Sequence, residues 1–235
     1  AVYMNDYERS WNKVDGLVGA DGLGINNVLA RPDEFTQAYA VITGQLDSDG
    51  TASAPGIDIT NNDRSYGSSG IQFDLDGNFE TGAVTHEVEA GLRIHNDYVE
   101  RLHTPADYYI QGGELVFIQQ RADEPKAFNK AETDAVSLYL SNKMSLGNAE
   151  VTVGVRSENI EGSFDDKKPT DADNERSTTI TTPSIGATYR LNDNWLVLGG
   201  LYNGFSPANP QSPENIDHEE SVNIEYGVRF TSEKF

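Results

Sequence analysis

Residues 86–94, HEVEAGLRI, alternate: Val88, Ala90, Leu92 and Ile94 leave the chain on one side, and Glu87, Glu89, Gly91 and Arg93 on the other. A period of two is that of a β-strand, because successive side chains point out of opposite faces of the pleat. One face is apolar and the other carries charge, so the two must meet different surroundings. The same rule recurs three times. Ile71, Phe73, Leu75 and Phe79 oppose Gln72, Asp74, Asp76 and Asn78; Ala149, Val151, Val153 and Val155 oppose Glu150, Thr152, Gly154 and Arg156; Val222, Ile224, Tyr226, Val228 and Phe230 oppose Asn223, Glu225, Gly227 and Arg229. The fold class is all-β and antiparallel. A soluble sandwich would turn the apolar faces inward, and a transmembrane barrel would turn them toward lipid around a polar lumen. Alternation alone does not choose between them.

The spacing of the strands does more. Strands are predicted at 3–14, 67–79, 86–98, 132–144, 149–161, 178–190, 195–205 and 220–230. The connections after the first, third, fifth and seventh are long (16–67, 99–130, 162–177 and 206–219), and the others are a few residues. Short turns at one end and long loops at the other characterise outer-membrane barrels, whereas a Greek-key domain has no reason to keep that order. An up-and-down meander of about eight strands, part of a larger transmembrane barrel, is therefore expected over 1–235. Within the first loop, residues 32–44 (PDEFTQAYAVITG) read as a short helix, with Pro32 at a first-turn position and Gly44 as the stop. Three segments fit less well. In 3–14, Tyr3, Tyr7 and Trp11 share a side with Arg9 and Lys13. In 195–205 both sides are apolar, which calls for cover on the lumen side or a register shift at Gly199-Gly200. Pro183, lacking an N–H, calls for a bulge or a locally unpaired site.

Composition excludes some functions. The net charge of -21, from 17 Lys plus Arg against 38 Asp plus Glu, leaves no basic face for a nucleic acid backbone. Cysteine is absent, so there is neither disulfide nor thiolate metal site. The opening residues lack the basic and apolar regions of a signal peptide. No apolar stretch reaches the roughly 18 residues of a membrane helix, which leaves a barrel open.

Two segments carry a resemblance. In 202–230, Gly204 to Pro207 (GFSP) run into a Pro-rich loop, then Glu219 to Asn223 (EESVN) open a strand toward Gly227 and Arg229. In 5–16, Arg9, Trp11 and Lys13 form an Arg-x-Trp-x-Lys pattern. The first resembles a late barrel segment of TonB-dependent outer-membrane receptors, and the second a strand of their ferric-citrate-type members. The resemblance implies a Gram-negative outer-membrane location and energy-coupled uptake of a ferric chelate or siderophore. It also implies barrels of about 22 strands with a plugged lumen, and three partners: the chelate, TonB acting through a plug domain, and membrane lipid. No plug and no TonB-contacting box are recognised in this sequence, and 231–234 lack the alternation of a family barrel ending, so a fragment is expected. A passive porin-like channel and a soluble β-sandwich adhesin or carbohydrate-binding module are the alternatives.

Ferric chelates such as dicitrate are anionic, so arginines near the barrel mouth are the candidate ligand-binding residues: Arg93, Arg101, Arg121 and Arg156. The competing role for each is pairing with lumen carboxylates such as Glu89 and Glu150. Asp165, Asp166, Asp171, Asp173 and Glu175 lack the spacing of a calcium loop and read as a solvated acidic loop. His86, His95, His103 and His218 do not form a zinc motif, no GxSxG is present, and the Gly-rich run at 19–24 lacks a strand–helix setting. Neither an enzyme nor a cofactor is expected. Tyr98, Tyr108, Tyr109, Trp195 and Tyr202 are candidates for an interfacial aromatic girdle, Trp195 first among them.

Overall fold

Every alternating segment forms a strand, and most run further than their apolar residues do. The computed structural model describes residues 1–20, 23–168, 174–213 and 215–232. Its elements are β1 (Val2–Val18), α1 (Ile25–Ala30), α2 (Thr36–Ile42), β2 (Gly56–Thr81), β3 (Val84–Gln111), β4 (Glu114–Gln120), β5 (Ala127–Leu146), β6 (Ala149–Asp166), β7 (Asn174–Arg190), β8 (Trp195–Ser206) and β9 (Glu219–Phe230). The expected loops at 16–67, 99–130 and 162–177 are thus partly ladder. β2 begins at Gly56, β3 continues to Gln111 and turns back as β4, and β6 reaches Asp166. These extensions carry apolar residues only in short runs, without sustained alternation, so no period of two marked them. The expected helix at 32–44 is α2, shorter than predicted, and α1 precedes it.

The strands form one antiparallel sheet in the order β1-β2-β3-β5-β6-β7-β8-β9, with β4 attached to β3. The sheet is curled as a half-barrel. The short turns at 82–83, 147–148 and 191–194 lie at one end, where Gly82 (φ 63°) and Gly147 (φ 57°) supply the left-handed backbone that tight hairpins need. The other is the loop end. Proline marks the breaks in pairing. The β7–β8 ladder runs only from Ser184 to Arg190, stopping next to Pro183, so Pro183 lies beyond it, while β6–β7 pairs through Pro183 without a bulge. Pro105 falls where β3 changes partner from β5, last paired at His103, to β4, first paired at Ala106.

The register places the apolar residues in one continuous band. Leu75, Ala90, Leu140 and Val155 are direct neighbours across β2, β3, β5 and β6. Further round the sheet, Val153, Ile185, Leu201 and Ile224 form another such row. On β3 the band runs from Val84 to Ile94, about 33 Å along the strand, or about 25 Å high at the usual tilt of barrel strands. These residues are outward and uncovered: Leu138 is 58% exposed and Ile224 72%. Val88, Leu92, Val153 and Ile224 do not join the buried core, and among the described residues no second sheet covers them. A sandwich is ruled out. β8 keeps its register through Gly199-Gly200, so the alternative of a slip there does not occur. Leu196 and Leu198 instead take the inward phase, half-buried beside Arg229 and Gly227.

Toward the loop end the outward phase turns polar: on β2, Ile71 is followed by Ser69, Gly67, Ser65, Asp63 and Asn61. It becomes apolar again at Ile59 and Ile57, and there it is covered. Leu17, Ile57 and Ile110 pack with Val28, Ala38 and Val41 of the two helices in the buried hydrophobic cluster. Ser48 fastens this cap, donating from Oγ to the Pro55 carbonyl (2.9 Å) and accepting from the Ile110 N–H (3.0 Å).

Candidate functional site

The inward phase of β1 resolves its poor alternation. Tyr3, Tyr7, Arg9, Trp11 and Lys13 all face the concave side, and Val2 and Met4, exposed and in the opposite phase, continue the outer band. Pairing then brings three arginines into one row. Arg9 lies opposite Arg64, and Arg64 opposite Arg101, with Asn129 next. Like charges directly across a ladder repel, and none of the three forms an ion pair among the described residues. What holds them is weaker. The Arg9 and Arg64 guanidinium carbons lie 4.1 and 4.7 Å from the centre of the Trp11 ring. Arg64 Nε donates to His103 Nε2 at 3.3 Å, and Arg101 Nη1 to Asn129 Oδ1 at 3.5 Å. Burial, and then the Arg64 and Arg101 charges, push the His103 pKa below its ordinary value, so the imidazole next to the row is neutral at pH 7.

A second basic group nearby is fully compensated. Lys126 Nζ lies 2.9 Å from Asp15 and 2.7 Å from Asp58. Arg121 lies 3.0 Å from both Asp58 and Asp107, its Nε contact with Asp107 being an ion pair without hydrogen-bond geometry. Lys13 and Thr60 also reach Asp15, at 2.8 and 2.6 Å. Burial raises the Asp15 pKa, but these partners outweigh it and hold the carboxyl well below the usual range. This network is tied up within the protein; the arginine row is not.

Of the four arginines singled out from sequence, Arg101 alone belongs to the row. Arg121 is locked in the network just described. Arg156 donates to Glu158 and, at 3.0 Å, to Ser137 Oγ, so its carboxylate partner is Glu158 and not Glu89 or Glu150. Arg93, lower on the concave face, donates to the Tyr3 hydroxyl at 3.1 Å. Sequence reasoning passed over Arg9, although it carried the resemblance, and Arg64, which lay in a stretch read as irregular. The signal was the phase of Arg9 with Tyr3, Tyr7 and Trp11. Asp165, Asp166 and Glu175 sit at the facing ends of β6 and β7, Asp171 and Asp173 lie outside the described residues, and no cluster of metal-ligating His, Asp and Glu occurs among the described residues. Trp195 packs against Phe230 at the turn end of the outer face, the ring centres 4.9 Å apart and the planes tilted by 47°. Tyr202 faces inward and donates to Glu225 at 3.1 Å. Tyr108 and Tyr109 are drawn into the cap region, beside Phe117 and Gly56, and Tyr98 packs over Gly67. The loop after β8 leans over the concave face, where Arg176 donates to the Pro213 (3.0 Å) and Ile216 carbonyls and Pro210 fills the space beside Gly162.

Residues 2–235 match the family described as TonB dependent receptor-like, beta-barrel. The chain belongs to that family. Among solved structures it is similar to the unliganded ferric citrate transporter FecA, with a TM-score of 0.63 and 24% identity over 75% of this chain and 27% of that one. It is also similar to the ferric-catecholate import receptor Fiu of E. coli K12, with a TM-score of 0.60 and 14% identity over 97% and 34%. A third is the siderophore receptor PiuA of Acinetobacter baumannii, with a TM-score of 0.55 and 16% identity over 74% and 30%. At these identities the likeness is one of fold. The chain spans about a third or less of the length of each.

Proposed function

We propose that this chain is barrel wall of an outer-membrane receptor that takes up an anionic ferric chelate or siderophore by TonB-dependent transport. The observation that carries this is the row of Arg9, Arg64 and Arg101, placed on the concave face at the loop end without a compensating carboxylate among the described residues. Such a row is costly unless an anion occupies it, and guanidinium groups bind carboxylate oxygens by charge-assisted, often bidentate hydrogen bonds. The uncovered apolar band has the height of an outer-membrane hydrocarbon layer, so its occupant is lipid, and the loop end and cap face the exterior.

The alternative that keeps the same wall is a passive porin-like channel. The test is accumulation of radiolabelled iron, supplied as ferric citrate, by cells carrying the full-length receptor. Uptake should stop when TonB is deleted. Uptake that continues unchanged without TonB would establish the channel and refute the receptor.

A further inference from the structure

One constellation on the concave face is unused by the arginine row. The Tyr3 hydroxyl lies 2.6 Å from His95 Nδ1, and His95 Nε2 lies 3.1 Å from Asp97 Oδ2. Arg93 Nε donates to the same phenol oxygen at 3.1 Å, its guanidinium carbon 5.4 Å from the ring centre. β1 and β3 supply all four residues through pairing with β2, where Tyr3 and His95 both lie opposite Gly70. The missing side chain at Gly70 is what lets them meet: a Cβ there would stand 2.3 Å from the Tyr3 hydroxyl. The hydrogen bonds require one tautomer, with Tyr3 donating to Nδ1 and Nε2–H donating to Asp97. A phenol is thereby joined to a base, the base to an orienting carboxylate, and a fixed cation faces the oxygen. That arrangement gives the phenol proton a short path to a held base when an electrophile meets the oxygen.

We propose that Tyr3 is a direct iron ligand on the inner wall, taking ferric chelates that keep at least one exchangeable coordination position. The inference rests on the ferric-chelate reading above and narrows its substrate class. The phenol proton passes to His95 Nδ1, and the imidazolium is held by Asp97. The phenolate oxygen bonds to iron as a bound water leaves. Iron stays ferric throughout, and Arg93 offsets the phenolate charge. Tyrosinate is an established ligand for ferric iron in haem proteins. The site is six residues below the arginine row along each strand, about 20 Å, so it is a second station and not part of the first.

The test uses the full-length receptor in detergent with two probes, ferric citrate, which has exchangeable positions, and ferric desferrioxamine, which is coordinatively saturated. Bound iron is counted by ultrafiltration, and the phenolate-to-iron charge-transfer band is read by visible absorption and resonance Raman. Ferric citrate should give the band and ferric desferrioxamine should not. Tyr3→Phe should abolish it while the arginine row still retains iron, and His95→Gln should weaken it several-fold. Iron bound from ferric citrate with no band, or a band that survives Tyr3→Phe, overturns the site and leaves the receptor reading standing. Failure of ferric citrate to bind overturns the ferric-chelate reading and this site with it.

Discussion

Replacing Arg64 with Gln separates a ligand-binding arginine from a structural one. Arg64 has a like charge on either side, Arg9 and Arg101. Two unit charges about 5 Å apart in water repel by about 0.8 kcal/mol, so removing the middle one relieves up to ~1.6 kcal/mol, less at physiological salt. Against this stand the lost stacking on Trp11 and the lost bond to His103, worth about 0.5–1 kcal/mol each. The balance lies within ~1 kcal/mol of zero. Binding should respond quite differently. A charge-assisted hydrogen bond contributes about 1.5–3 kcal/mol, so R64Q should weaken ferric citrate binding roughly 10- to 150-fold. Arg121 is the control. It is paired with Asp58 and Asp107 and its side chain is 31% exposed, so the ~3–5 kcal/mol cost of breaking a buried pair falls to about 2 kcal/mol after solvent screening. R121Q should destabilise the fold and leave the affinity of the folded receptor unchanged. Equilibrium binding and denaturant unfolding of the full-length receptor measure the two quantities. If R64Q destabilises as much as R121Q and binds as tightly as the parent, the row is structural and the reasoning fails.

Leu140→Arg, inside the apolar band, should cost about 2–4 kcal/mol of bilayer folding stability, while Asp134→Arg, beyond the band on the same strand and phase, should cost little; equal costs would remove the case for lipid contact. Gly91→Val should destabilise the sheet, because a Cβ there would lie 2.2 Å from the Tyr139 ring, and pairing Gly91→Val with Tyr139→Ala should recover most of the loss in the same unfolding assay. His103 should titrate below the ordinary value of about 6.5, and R64Q should raise its pKa, read by NMR of labelled imidazole. With the folded pKa depressed, neutral His103 contributes no pH dependence above about pH 6.5, and stability falls as pH drops from there toward the folded pKa, where the loss levels off. Asp15 has its folded pKa depressed as well, but it is an acid: its contribution is complete above about pH 4, declines as pH falls toward the folded value, and should vanish in Asp15→Asn, seen as faster hydrogen exchange of β1 and β2 near Thr60.

The site was less legible than the fold, for a physical reason. Apolar alternation marks a strand only where one face needs an apolar surrounding. Residues 71–79 and 86–94 announced themselves, while 56–70 and 99–111 are strands whose faces are mostly polar or small and looked like loop. Arg64 lay in that unmarked stretch and was missed. Arg156 was found from its alternation, yet its partner is Glu158, two residues along on the same face, and neither expected carboxylate. Of the two expectations for Pro183, a bulge does not occur and a locally unpaired site occurs on the β8 side alone; an absent N–H is a property of the residue and needs no neighbour.

Composition and phase alone settled that the chain is antiparallel β with one apolar and one polar face, and that the turns at 82–83, 147–148 and 191–194 share one end. Each of those follows from local chemistry, the two-residue pleat and the residues that tight turns require. Which faces cross which was decided only by tertiary pairing. Arg9, Arg64 and Arg101, or Tyr3 and His95, are far apart along the chain, and a slip of one residue in either ladder would send them to opposite sides of the sheet. The register that prevents the slip is set by the apolar band, so the same burial that holds the wall upright assembles the polar sites behind it.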